Sequence, residues 1–400
     1  MKKKAQKKVI KNVFSNYDIV LTILVVFLCA FGLIMVYSAS SYRANYYYQD
    51  STLYFRNQGY FILGGIALMV LISMFDYRIW FKQYKYLPIP MVVIVFFIGA
   101  VLCWYVKFAG HSVGGSSRWI KLGPVSLQPS ELAKVGFVLF GTFLVAKLKK
   151  RLNTGKLLKN LFLGFVPMVI PFVLVLVPVI KLNLSSAVVL AAIIGTIFLC
   201  VSREMGYFWV VLAIAVTFGL VAAFTVGYRA ERIEHWLNPE TMDQGDQIMQ
   251  GLYAIGSGGL FGKGLGNSVQ KLGNMPEVHT DMIFTIICEE LGIIGGIALI
   301  MLFMLLAWRV FKIALNAPDL CGSLIAAGVF AQIAVQVIMN VAVVTNSMPA
   351  TGVPLPFVSY GGSSLLVLMA EMGIVLSVSN HTYRSYEEDE DAEDEELFEE

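Results

Sequence analysis

The sequence predicts an all-α polytopic membrane protein, with about ten transmembrane helices, both termini cytoplasmic and a large extracytoplasmic loop between helices 7 and 8. Three observations carry this. Of the 400 residues, 57% are hydrophobic and only 14% charged, with mean hydropathy +0.71; a soluble chain carries about 25% charged residues. The apolar residues gather into runs of about 17–27 residues, enough to cross a hydrocarbon core of ~30 Å. Lys and Arg fall unevenly between the runs, roughly 19 on the inner side against roughly 10 on the outer.

The elements follow in order. Residues 1–18 form a basic cytoplasmic segment carrying Lys2, Lys3, Lys4, Lys7, Lys8 and Lys11. Apolar runs then fall near 19–37, 59–75, 86–106, 131–147, 160–180, 184–202, 206–227, 282–308, 322–345 and 360–379. The first is nearer a full span of ~20 residues than the short core of a signal peptide. The transmembrane domain so defined covers 19–383, with extracytoplasmic loops at about 107–130, 228–281 and 346–359. Residues 384–400 are a like-charged acidic tail, expected to be cytoplasmic and disordered because such blocks repel themselves. The net charge of +3 therefore hides a strongly basic body. The five Cys have no metal-ligand or disulfide spacing and read as buried small hydrophobes. No feature points to nucleic acid.

Polar residues cluster in the three outer loops. The first ends with Arg118-Trp119, Gln128-Pro129-Ser130-Glu131 and Lys134. Ser130 suits an N-cap, and Glu131 and Lys134 share a helix face. They read either as a structural ion pair or, with Arg118, as a cationic wall for an anionic substrate. The second loop holds a Gly-rich stretch, 256–266, that lacks the spacing of a nucleotide-binding loop. Its amides and Lys263 are candidates for a phosphate or sugar. The same loop ends in Glu277, His279, Thr280 and Asp281 at the mouth of an apolar run. Thr280 or Asp281 either caps that helix or carries chemistry. Glu289 and Glu290 lie ~12–13.5 Å further along a continuous helix, too far to pair with Asp281, and are expected near the inner half of the span. Glu371 is a further intramembrane carboxylate with no assigned partner. The third loop, Asn340 to Ser364, carries Pro349, Pro354, Pro356 and Gly361-Gly362, which forbid regular helix and suit a re-entrant segment walling the same site.

Three of these motifs together resemble the SEDS family (shape, elongation, division and sporulation), the FtsW/RodA/SpoVE proteins of bacterial cell-wall synthesis. The carriers are Arg118-Trp119 with Gln128 to Lys134, Pro276 to Phe284 with Glu289-Glu290-Leu291-Gly292, and Pro349 to Ser364. Within the family, Ser268-Val269-Gln270-Lys271 and Arg232 to Pro239 are more similar to FtsW than to RodA. Leu182-Asn183-Leu184-Ser185-Ser186 also departs from the RodA pattern, Pro-Asp-Leu-Gly-Thr, leaving FtsW and SpoVE both open.

The resemblance implies a peptidoglycan glycosyltransferase that polymerises lipid II at the outer face of the membrane during division, at the septum. Its implied partners are a class B penicillin-binding protein and other division-complex membrane proteins. Its essential loop Asp falls on Asp281. Substrate contacts are expected from Arg118, Trp119, Gln128, Glu131, Lys134, Lys263, Glu277, His279, Thr280, Asn340, Ser359, Gly361, Gly362 and Ser363. No cofactor is implied beyond a divalent cation, Mg or Mn, as a candidate aid to the leaving pyrophosphate. One carboxylate suffices, since pyrophosphate leaves without a general acid and the acceptor hydroxyl needs only a base. The competing expectations are a lipid II flippase and a RodA-type elongation or SpoVE-type sporulation member of the family.

Overall fold

The computed structural model describes residues 18–83, 89–109, 111–113, 116–122, 125–152, 166–202, 233–234, 236–238, 246–272 and 278–399. It is mainly helical. In chain order come α1 (Ile19–Tyr48), α2 (Leu53–Ser73), a 3₁₀ turn (Tyr77–Phe81) and α3 (Met91–Ala109). A small sheet follows, β1 (His111–Val113), β2 (Ser116–Leu122) and β3 (Val125–Leu127). Then come α4 (Pro129–Leu152), α5 (Val166–Leu182), α6 (Leu184–Val201), α7 (Asp246–Gly258), α8 (Ile283–Leu315), α9 (Leu320–Val344) and α10 (Gly362–Glu399).

Among the described residues seven helices are long and apolar enough to cross a membrane, and Val166–Lys181 is a shorter apolar one. The predicted run 131–147 is also helical, within α4, whose Glu131, Lys134 and basic end dilute its hydropathy. The run 206–227 lies outside the described residues.

Four expectations need correction. The chain is not all-α: loop 107–130 folds as an antiparallel β1-β2-β3 meander with His111 opposite Trp119 and Ile120 opposite Leu127. The signal was legible as Gly123-Pro124, a turn dipeptide between two strand-like runs. Next, α4 starts at Pro129, whose missing N–H and fixed φ suit a first helical position, so Ser130 sits inside the first turn rather than capping it. Third, loop 228–281 is not simply loop, because it contains α7. Last, the acidic stretch 384–399 continues α10 as helix. Extending an existing helix needs no new nucleus, and Glu is a good helix former.

Two clamps set the vertical scale. Asp18 caps α1 by accepting from Leu21 N at 2.9 Å, and its carboxylate also pairs with Arg309 near the end of α8 at 2.9 Å. At the far end Ser38 Oγ donates to Glu290 at 2.7 Å. About twenty residues separate these contacts on both antiparallel helices, some 30 Å of helix, which is the thickness of a hydrocarbon core. Glu289 and Glu290 therefore stand at the far boundary, not in the half of the span nearer Arg309 where they were expected. The longer apolar stretch of α8, Ile293 to Leu306, follows them.

Candidate active site

The site is built from three chain breaks toward the Ser38–Glu290 end of the bundle. The first is in α8. Gly292 interrupts the helix with φ 74° and ψ −177°, a conformation open to glycine. The break frees backbone groups, and the Gly-rich loop after α7 satisfies them. Lys263 N donates to Glu289 O at 3.0 Å and Gly264 N to Glu290 O at 2.9 Å. Ile293 N donates back to Gly259 O at 2.9 Å and Ile294 N to Leu260 O at 3.3 Å. Such mutual satisfaction is what a broken helix at membrane depth requires.

Side chains lock the same bracket. Glu289 accepts from Lys263 Nζ at 2.7 Å, from Val269 N at 3.0 Å, and from Ser268 Oγ. Glu290 accepts from Lys271 Nζ at 3.0 Å as well as from Ser38. Both carboxylates are fully buried. Gly251 faces Met282 and Thr285, while Gly258 faces Cys288 and Glu289, so α7 runs parallel to the first turns of α8. Lys263, expected at a substrate phosphate, is engaged by Glu289 and by Ser257 Oγ at 2.8 Å. The Gly-rich amides turn to helix carbonyls in the same way. The loop thus brackets the break in α8.

The second break is the segment between α9 and α10. Its Val353, Leu355, Phe357 and Val358 are buried, and Phe357 adopts φ 64°. Val358 lies against Gly32 of α1 so closely that a Cβ on Gly32 would meet its Cα at 2.6 Å. Gly32 is about 9 Å below Ser38 along α1. The segment thus dips into the bundle, as its prolines predict. Gln58 holds its return: Nε2 donates to Ser359 O at 3.2 Å, and Oε1 accepts from Gly361 N at 3.3 Å. Ser359 Oγ accepts from Leu355 N at 2.8 Å, so it shapes the loop. Ser363 is buried, its hydroxyl unpartnered among the described residues, and Gly362 packs on Phe61.

The third break, 278–282, carries Asp281. The cap position of α8 falls on Met282, so neither Thr280 nor Asp281 occupies it. His279 is buried; its ring lies 4.4 Å from Tyr54 and 5.4 Å from Tyr360, and its carbonyl accepts from Tyr360 N at 2.9 Å. Thr280 and Asp281 are half-buried. Asn340 joins this break to the re-entrant one: its Nδ2 donates to Asp281 O at 2.8 Å and to Val353 O at 2.9 Å.

Beyond Val353 lies a small polar cavity lined by Gln128, Glu131, Lys134, Ser186, Gln336 and Gly352 to Pro354. Lys134 Nζ pairs with Glu131 Oε1 at 2.7 Å, both side chains buried. Among the described residues Glu131 Oε2 and Gln336 Oε1 have no partner. Asp281, Asn340, the re-entrant loop and the Gln128–Glu131–Lys134 wall are thus brought together. Trp119 sits half-buried on β2. The side chain of Arg118, and Glu277 entirely, lie outside the described residues.

Sequence reasoning missed Gln58, Ser186, Gln332 and Gln336. Gln332 and Gln336, one turn apart in an apolar run, were a legible signal. Gln332 Nε2 supplies the partner that Glu371 lacked, at 2.7 Å. Among the described residues no group of three or more His, Cys, Asp or Glu could hold a metal ion.

Comparison with known proteins matches this frame. The family model for FtsW, RodA and SpoVE, described as cell cycle protein, matches residues 19–384. The chain belongs to the FtsW/RodA/SpoVE family. Among its relatives, stage V sporulation protein E of Bacillus subtilis is 38% identical, over 91% of this chain and 97% of that protein. A probable peptidoglycan glycosyltransferase FtsW of Trichlorobacter lovleyi is 35% identical, over 91% and 93%. The rod shape determining protein RodA of Thermus thermophilus shares the fold with TM-score 0.66 and 25% identity, covering 92% of this chain and 99% of that one. A chain of a peptidoglycan synthase complex, described as coordinating polymerization and crosslinking, aligns with TM-score 0.73 at 24% identity, over 92% and 98%.

Proposed function

We propose that this family member is a peptidoglycan glycosyltransferase that polymerises lipid II at the outer face of the cytoplasmic membrane, in cell division. The observation that carries the reading is the Asn340 bridge, which seats the Asp281 loop against the wall of a cavity holding a buried lysine. A base and a cation at one mouth are what this transfer needs. Asp281 takes the proton of the acceptor sugar's 4-hydroxyl, and that oxygen attacks C1 of the donor. The C1–O bond to undecaprenyl pyrophosphate breaks with inversion from α to β. Lys134, with Arg118, offsets the charge growing on the pyrophosphate. Gln128, Thr280, Ser363 and the Gly361-Gly362 amides line the approach, while His279 shapes the Asp281 loop through Tyr54 and Tyr360. The named relatives support the enzyme class, and they include both FtsW and SpoVE.

In this reading the Ser38–Glu290 level faces outward, and the Asp18–Arg309 level is cytoplasmic with both termini. The ten-span count is kept, with 206–227 as the seventh. A class B penicillin-binding protein is the expected partner, with other division-complex membrane proteins around it.

The flippase reading draws on one observation, the buried Glu371–Gln332 pair, about 14 Å along α10 from Gly362. A polar pair at mid-depth suits transport. Purified protein in detergent, given labelled lipid II with and without its transpeptidase, separates the two, because detergent abolishes sidedness. Glycan strands on a gel support the polymerase. Their absence in both conditions, with translocation in vesicles, supports the flippase.

A further inference from the structure

The outer end of α1 carries a feature the proposed reaction does not use. Tyr46, Tyr47 and Tyr48 are 69%, 63% and 60% exposed. They stand about 12–15 Å of helix beyond Ser38, which marks the membrane boundary. The headgroup layer adds only about 5–8 Å per side. Tyr42, about 6 Å beyond Ser38, has the height of an interfacial belt residue. The three consecutive tyrosines are above that belt, in water.

They are also joined to the site by rings. Tyr46 and Tyr47 meet edge to face at 5.1 Å, and Arg43 lies 5.7 Å over Tyr47. Tyr48 meets Tyr54 at 6.4 Å, and Tyr54 meets His279 at 4.4 Å, two residues from Asp281. The path leads from the reacting centre outward, away from lipid.

We propose that Tyr46, Tyr47 and Tyr48 form a stacking platform for the β-1,4-linked amino-sugar strand as it leaves the Asp281 site. A pyranose ring presents a face of C–H bonds that packs on the electron-rich face of an aromatic ring. Its equatorial hydroxyls stay in water, as the phenol hydroxyl does. The three rings fan out about 100° apart around the end of α1, so each offers its own face to a sugar of a strand that curves over that end. The proposal rests on the glycosyltransferase reading, since only a polymerase has a strand to hold.

The test titrates soluble β-1,4-linked N-acetylglucosamine oligomers into the purified full chain and compares strand length from labelled lipid II. Two variants are compared with the original: Tyr46, Tyr47 and Tyr48 all to Ala, and all to Phe. The Ala variant is expected to bind the oligomer about tenfold more weakly and to make shorter strands, with unchanged thermal melting. The Phe variant, which keeps the ring faces, is expected to retain most of the affinity. Equal affinity for the original and the Ala variant, or no oligomer binding by the original, overturns the platform. Melting that falls while affinity holds also overturns it, because that marks a structural belt. Tyrosine-dependent oligomer binding without any polymer, with and without the transpeptidase, keeps a sugar-stacking surface but removes the product strand from it, because the glycosyltransferase reading has then failed.

Discussion

At the scale of single residues the cavity wall is the sharpest case. Lys134 and Glu131 are both buried and neutralise each other. Removing one partner of such a pair leaves a charge without compensation, at a cost of about 3–5 kcal/mol, whereas removing both is far milder. Lys134→Met should therefore lower the melting temperature of the detergent-solubilised protein, and Glu131→Gln with Lys134→Met should recover most of it. If activity needs the cation, neither variant will polymerise; recovery of polymer in the double variant would remove Lys134 from the reaction. The residues themselves were legible: a Glu and a Lys three apart at the mouth of an apolar run. Their partners were not. Gln336 and Ser186 reach the cavity from α9 and α6, and no local pattern brings three helices to one point. Lys263 shows the same limit of local pattern. A lysine among glycines looks like an anion site, yet its buried partner, Glu289, lies 26 residues away.

At the scale of elements the account turns on the break in α8. Gly292 adopts a backbone that other residues rarely enter, and an added Cβ would sit 2.2 Å from Leu260 O. Gly292→Ala should destabilise by about 3 kcal/mol or more, since strain and overlap act together. Thermal melting reads this directly, and a variant as stable as the original would mean the bracket is not held by this conformation. The ion pairs make a second prediction. Lys271→Met strips a buried cation from Glu290, whose carboxylate then keeps, among the described residues, Ser38 Oγ and Ser268 N, and should expose the loop after α7 to faster proteolysis. Unchanged cleavage would contradict a clamping role. The sequence displayed the apolar run of α8 plainly but hid its break, because one glycine in a Gly-rich span carries no signal of its φ. The re-entrant segment before α10 was readable because its prolines leave few alternatives.

At the scale of the whole molecule, the helices are tied by carboxylates at the Asp18–Arg309 end of the bundle. Asp319 caps α9 by accepting from Gly322 N at 2.7 Å, and it also holds Tyr77 Oη at 2.8 Å and Arg78 Nε at 2.9 Å. Burial works against its charge, but these donors outweigh burial and hold its carboxyl below the usual Asp range. The sign follows: the stabilisation is complete above the unfolded value of about 3.9 and is lost as pH falls through the lower folded one. Asp319→Asn should therefore be less stable than the original at neutral pH, and the gap should narrow as pH falls below the unfolded value of about 3.9. A gap constant with pH would exclude the charge as its source. The family frame and most spans were visible from hydropathy and charge, since a membrane leaves few solutions. What composition could not show is how loops fold back among the helices to make a site.

The central claim is that Asp281 removes the acceptor proton. The most direct measurement compares the original chain, Asp281→Asn and Asp281→Glu, each purified with the partner transpeptidase, for glycan strands formed from labelled lipid II. The account predicts strands from the original, none from Asn, and partial activity from Glu, with all three equally folded and equally bound to the partner. Strands from Asp281→Asn at near the original rate would contradict it and move the base elsewhere in the site.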